Sequence, residues 1–326
     1  MSLDEFPTVD DVLESHADEV APLRRPVMLV ALEGWFDAAS AATGALERVL
    51  DARDCVTVAS IDPDPFYDFT QQRPEAYIDE DGERQIRWPH NDVVVARGDD
   101  GTRDLVILSG VEPHTYWQTY VGSVIRCARE LHCGALVTIG ANFDTVPHTR
   151  SPIVTGSTTN SALAGKLRLS RPQYQGPTGV AGVLQQRLDR DRIAPVSLRV
   201  GVPHYLSSSE HPKSSAALLR HLESVLGVPT NHAALYEEIQ HWAEMHDAAI
   251  EDDEETLEYV RTLEREYDRR NDTVIPSADD LGDAFERFLR EQDDHAGLGV
   301  ESVRPIRDEI RRRVEALIDD LADRRS

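Results

Sequence analysis

The sequence predicts an α/β protein: a three-layer α/β/α arrangement with a mixed, mainly parallel sheet, followed by a C-terminal helical extension. Three observations carry this. Apolar runs of strand length alternate with helical patterns as far as Gly227, as in parallel sheets whose crossover helices cover both faces. Two stretches break the rhythm with aspartate-glycine turns, the chemistry of antiparallel hairpins. Beyond Gly227 strand patterns stop and acid-rich helical patterns take over.

In chain order, residues 1–24 read as an acidic, loosely attached arm, residues 25–228 as the α/β domain and residues 229–326 as the helical extension. Strands are expected at Pro26 to Leu32, Cys55 to Ile61, Val93 to Arg97, Asp104 to Ser109, Ala135 to Ile139 and Val196 to Val202. Helices are expected at Ala38 to Leu50, Tyr116 to Leu131, Val180 to Arg190 and Ser214 to Leu226. The hairpin turns are Asp81-Gly82 and Asp100-Gly101, and the tripeptide Arg97-Gly98-Asp99 reads as turn residues of the second. In the extension, Ile239, Trp242, His246 and Ala249, then Val260, Leu263 and Tyr267, keep a 3-4 spacing that makes one packing face. The acids Glu251 to Glu255 interrupt it, and two further helices are expected at Ala278 to Arg290 and Val303 to Ala322.

Charge narrows the function. A net charge of −25, from 59 acidic and 34 basic residues, opposes binding to duplex nucleic acid or an anionic membrane, since both need a basic surface. Cys55, Cys127 and Cys133 have no CxxC spacing. The start MSLDEFPTVDD lacks a basic-then-apolar signal, and no apolar stretch reaches membrane-spanning length. A soluble protein of the reducing cytoplasm is expected.

Polar residues gather in the turns after three strands, where open α/β sheets bind ligands, and in a fourth, glycine-rich turn ahead of a helix. The first turn, EGWFD, holds Gly34 and Asp37, with Asp37 placed either to cap the next helix or to meet a ligand. The second, SGVEPHTYW, holds Gly110 and Glu112, again a cap or a ligand for a hydroxyl. The third, TIGANFDTVPHTR, brings Asn142, His148 and Arg150. In the fourth, YQGPTGVAG, Gly176, Gly179 and Gly182 surround Thr178 ahead of a helix whose N-H groups suit an anion or a carbonyl, or else serve close packing. No GxSxG elbow surrounds Ser109, Ser151 or Ser157, and the single ExxH of Glu238 and His241 makes no di-metal site. No catalytic residue, metal or cofactor is assigned.

Read together, GWFDAASAATGAL, ILSGVEPHTYW, TIGANFDTVPHTRSPIVTGSTTN, YQGPTGVAGVL and VGVPHYLSSSEHPKSSAALL resemble the proteasome assembly chaperone family in its long actinobacterial form. The resemblance runs from Pro26 to Gly227. It implies an α/β/α sandwich similar to the nucleoside phosphorylase and hydrolase class, homo-oligomers such as trimers, and proteasome subunits as protein partners. Some members dock through a terminal hydrophobic-tyrosine-any-residue tail, from which the ending Asp323-Arg324-Arg325-Ser326 departs. Three functions stay open: a non-catalytic chaperone-like protein binder, a nucleoside phosphorylase- or hydrolase-like enzyme or sensor using the crevice, and a chain whose helical face of Ile239, Trp242 and Tyr267 serves oligomerisation.

Overall fold

The computed structural model describes residues 6–99, 102–167, 169–206, 210–250 and 253–271. In chain order the elements are α1 (Val9–Val12), β1 (Leu13–Ser15), β2 (Val27–Glu33), α2 (Ala41–Asp51), β3 (Cys55–Ile61), β4 (Glu75–Ile78), β5 (Arg84–Arg87), β6 (Asn91–Ala96), β7 (Leu105–Val111) and α3 (Trp117–Glu130). Then follow β8 (Ala135–Asp144), β9 (Val154–Ser157), α4 (Ser161–Leu167), α5 (Val180–Asp191), β10 (Ala194–Pro203), α6 (Pro212–Leu226), α7 (Tyr236–Ile250) and α8 (Glu254–Asn271).

Among the described residues the main sheet has eight strands in the order β1-β3-β6-β7-β2-β8-β10-β9. The central pairs β7·β2, β2·β8 and β8·β10 are parallel, while β1, β6 and β9 pair antiparallel with their neighbours. The mixed, mainly parallel α/β sheet is the one expected. Strand β2 shows why it needs two helical layers, because its successive side chains enter opposite cores. Val27, Leu29 and Ala31 pack with α2 and α6, whereas Met28 and Val30 pack with α3 and α5.

Residues 9–24 are not loosely attached. Strand β1 pairs with the end of β3, from Leu13 opposite Ile61 to Ser15 opposite Ala59. Val12 is buried, and Arg97 donates to the Ala21 and Pro22 carbonyls as well as to Asp104. The scattered apolar positions Val12, Leu13, Ala17, Val20 and Leu23 pack on the core layer that α3 covers, and β1 itself is too short for a strand pattern to register. β8 runs on to Asp144 because the parallel register with β10 continues from Gly140 opposite Arg199 to Asp144 opposite Pro203. Strand β9, VTGS, has no apolar alternation and gains its place from pairing with β10.

Both hairpins form as pairings. β6 and β7 are antiparallel neighbours, although Asp100-Gly101 itself lies outside the described residues. β4 and β5 make a separate two-stranded ribbon closed by Asp81-Gly82, with every residue of both strands exposed. Helices α7 and α8 match the extension, and the helices expected at Ala278 to Arg290 and Val303 to Ala322 lie outside the described residues. Among the described residues no helix is long and apolar enough to cross a membrane.

Candidate interaction crevice at the carboxyl ends of the strands

The turn after β2 is built around Asp37. Its Oδ1 accepts the N-H groups of Ala42 (2.8 Å) and Thr43 (3.2 Å), and its Oδ2 accepts the Thr43 hydroxyl. These are donors that the first turn of α2 leaves unpaired, so Asp37 is a helix cap. Between them Ala39 (φ 54°) and Ser40 (φ 50°) are both left-handed, which delays α2 to Ala41, past the expected start at Ala38. Burial raises the Asp37 pKa, and the three accepted hydrogen bonds oppose that shift.

Glu112 ties the second turn to the first and the fourth. Its Oε1 accepts the Val180 N-H at 2.8 Å, and its Oε2 accepts the Trp35 N-H at 3.3 Å. The anion seat that the sequence suggested at the start of α5 is thus held by the protein's own carboxylate, favourably placed against the helix dipole. Two glycines make room for it. A Cβ on Gly179 would lie 2.6 Å from Oε1, and one on Gly34 would lie 2.9 Å from Oε2, at a backbone φ of 146°.

Two adjoining cavities open here, of about 400 and 760 Å³, sharing Glu33, Ala39, Ser40, Val111 and Glu210 in their walls. Gly34, Asp37 and Glu112 line the larger, and Gly110 lines the smaller, where it lies against Asn91. The walls together carry six carboxylates, from Glu33, Asp37, Glu47, Glu112, Glu210 and Glu238, against the one arginine Arg48. Arg48 is already paired with Glu238 at 2.8 Å. The crevice is therefore strongly acidic, and burial followed by the neighbouring Asp51, Asp37 and Glu210 raises the Glu47 pKa.

The remaining predicted residues stand elsewhere. Asn142, at the end of β8, is half-buried and makes one long contact to the Phe143 carbonyl at 3.4 Å. Gly176 and Thr178 are exposed, and Gly179 lies against Glu112 and Phe36 and lines neither cavity. His148 is buried under the helical extension, its Nδ1 2.7 Å from the Tyr205 hydroxyl and its Nε2 3.1 Å from Asp247 of α7. Burial lowers its pKa despite Asp247.

The helical face packs on this chain's own sheet domain. Ile239 lies against the α2/α6 core, Trp242 donates to the Glu210 carbonyl (2.8 Å) and packs on His211, and the Tyr267 hydroxyl donates to the Ser151 carbonyl. Arg150 clamps α8 through Glu264 and Asp268, each at 2.9 Å. A 3-4 spacing reports that a face is covered, and carries no information on which chain covers it.

Sequence reasoning gave no role to Glu47, Glu210 and His211, which line the smaller cavity from α2 and the start of α6, although Glu210 and His211 lie in one of the stretches that carry the family resemblance. It also passed over the apolar side of the β4-β5 ribbon. Ile78 (64% exposed) and Ile86 (43%) share one face by strand alternation, and Trp88 (48%) follows at its base against Phe69. The alternating YIDEDGERQIRW contained that signal. Gln71 and Gln72, which lead into the ribbon, and His90, which leaves it, line the two cavities, so the ribbon rises beside the crevice mouth.

The PAC2 family model matches residues 31–250. A PAC2 family protein from Streptomyces avermitilis is 36% identical, with a TM-score of 0.68 over 72% of this chain and 99% of that one. A proteasome-assembly chaperone homologue of Mycobacterium tuberculosis is 33% identical, with a TM-score of 0.65 over 72% of this chain and 99% of that one. A second M. tuberculosis protein, of unknown function, is 26% identical and covers 89% of this chain and 99% of its own length, with a TM-score of 0.71. No curated protein matches. With the sheet order, the strand-end turns and the family model in agreement over most of its length, the chain belongs to the PAC2 family of proteasome-assembly-chaperone-like proteins.

Proposed function

We propose that this chain is a non-catalytic, chaperone-like protein binder whose partners are proteasome subunits, working as a homo-oligomer, with a trimer as the expected form. The observation that carries the reading is the exposed ribbon beside the acidic crevice. A two-stranded hairpin with an apolar face is marginal alone in water, and Ile78, Ile86 and Trp88 supply the aromatic and aliphatic anchors that protein interfaces bury. The likeness to a proteasome-assembly chaperone homologue gives the partner class. A long actinobacterial form fits the relative that covers 89% of the chain, and the unpaired cysteines support a cytoplasmic setting.

The nucleoside phosphorylase- or hydrolase-like alternative has less support, because Glu112 fills the place at α5 that a phosphate needs. The test is capture of separately expressed proteasome α and β subunits by the full chain and by an Ile78→Asp/Ile86→Asp variant. The reading expects the wild type to capture a subunit and the variant to lose it while melting at the same temperature. Equal capture by both would remove the ribbon from the account, and no capture by either would remove the partner. Sedimentation of the chain alone checks the trimer.

A further inference from the structure

Strand β10 carries a half-buried arginine that no acid in the described chain neutralises. Leu198 and Val200 face the α2/α6 core, so Arg199 between them faces the α5 side of the sheet. Ala141 of β8 also faces the α2/α6 core, which puts Gly140 and Asn142 on the same side as Arg199. Gly140 is the in-register neighbour of Arg199, and the Phe36 ring takes the room it leaves, with the guanidinium 4.6 Å from the ring centre. That cation-π contact offers no oxygen to the five guanidinium N-H donors, and Arg199 has neither ion pair nor side-chain hydrogen bond among the described residues. The acids nearest along these elements are spent elsewhere. Glu112, which meets Phe36 across Gly179, accepts the Val180 and Trp35 N-H groups, and Asp144, further along the same face of β8, accepts the Thr145 N-H at 2.7 Å. Burial lowers the Arg199 pKa and no acid opposes the shift. Asn142, also half-buried on this face, makes only its 3.4 Å contact to the Phe143 carbonyl. A partly desolvated cation without a counter-charge costs stability, and it stands out in a chain with 59 acidic residues.

We propose that Arg199 and Asn142 seat the carboxylate of an aspartate or glutamate side chain on a polypeptide partner, with Trp35 as the apolar contact beside it. The inference rests on the protein-binding reading above and gives that partner its chemistry. A guanidinium fork donates two parallel hydrogen bonds to a carboxylate, and the Asn142 amide supplies a further donor from the same face. One cation and one neutral amide balance a monoanion, whereas a phosphate dianion would add excess charge to a chain already at −25. Position selects a polypeptide over a free acid. Arg199 lines neither cavity of the crevice and stays partly open to solvent, where an isolated ion pair contributes little. Trp35 is 67% exposed and stacks on Phe36. A partner surface that covers Trp35 also excludes water from the neighbouring ion pair and so strengthens it.

The experiment selects binders from a phage-displayed library of random linear peptides on the full-length chain and on its Arg199→Met variant, and measures the selected peptides by fluorescence anisotropy. The wild type is expected to select peptides with an aspartate or glutamate at one fixed position beside an aromatic or aliphatic residue. Changing that acid to its amide, or Arg199 to methionine, should weaken binding by about tenfold or more. Arg199→Lys keeps the charge but not the fork and should recover part of the loss. Arg199→Met should melt within about 2 °C of the wild type, because methionine still packs on Phe36 while the unpaired charge is gone. A selection that yields no acidic binder, acidic binders that Arg199→Met retains, or a larger fall in Tm would overturn the proposal. The peptide selection decides the seat, and capture of proteasome subunits by the wild type decides the function. If acidic peptides bind through Arg199 but no subunit is captured, the function falls and the seat stands; if a subunit is captured but the selection shows no acid preference, the seat falls and the function stands.

Discussion

Replacing Asp37 by alanine should cost about 3 kcal/mol of stability, and replacing it by asparagine should cost less than about 1 kcal/mol. Asp37 accepts two backbone N-H groups at the buried start of α2 together with the Thr43 hydroxyl. Losing a helix cap costs about 1 kcal/mol, and leaving a buried N-H unsatisfied adds about 1–3 kcal/mol. The two overlap, so about 3 kcal/mol is the sum to expect. For a domain of this size that is a fall of about 6–12 °C in Tm, at about 2–4 °C per kcal/mol. Asparagine caps as well as aspartate and removes a charge that burial disfavours. Urea denaturation followed by circular dichroism, comparing both variants with the wild type at equal m-value, measures this. The pH dependence has a definite sign. An acid whose folded pKa is raised binds its proton more tightly when folded, so the wild type should gain stability relative to Asp37→Asn as pH falls toward the ordinary aspartate value of about 3.9. An alanine variant within about 0.5 kcal/mol of wild type, the range of ordinary surface changes, would refute the capping argument. So would an asparagine variant as damaged as the alanine one.

Gly179→Ala should destabilise by about 1–3 kcal/mol, since its Cβ would sit 2.6 Å from Glu112 Oε1 and 3.2 Å from the Phe36 ring; thermal denaturation checks it. Trp242→Ala should remove about 3–5 kcal/mol of packing at a side chain that is 6% exposed, read as a fall in Tm and faster proteolysis within α7 and α8. Acid should loosen the same contact. His148 and His211 have lowered pKa values in the folded chain, so the stability they confer as neutral rings is present above the ordinary histidine value of about 6.5 and is lost as pH falls below it. Hydrogen exchange of α7 at pH 7 and pH 5, corrected for intrinsic rates, should show less protection at pH 5. Equal protection at the two pH values would contradict the assignment.

Much of the architecture was legible because β2, β7 and β8 are continuous apolar runs buried on both faces, and α2, α3, α5 and α6 follow helical spacing between strands. Asp37 was legible as a cap from its place before a helical run. β1 and β9 were not, because a short edge strand with one partner needs no apolar alternation. The crevice was legible only in part. Gly34, Asp37, Gly110 and Glu112 converge because β2 and β7 are parallel neighbours, with Glu33 opposite Val111. Glu210 and His211 arrive from the turn before α6, inside a stretch that the family resemblance marks but whose residue types alone indicate no role. His148 has the composition of a site residue, but burial against Trp242 and Asp247 gives it a docking role for α7.

Native mass spectrometry of the full-length protein, alone and mixed with separately expressed proteasome α and β subunits, tests the central claim most directly. The account predicts a homo-oligomer that forms a discrete complex with at least one of those subunits, and that loses it when Ile78 and Ile86 become aspartate. A species whose mass is unchanged by either subunit would contradict it.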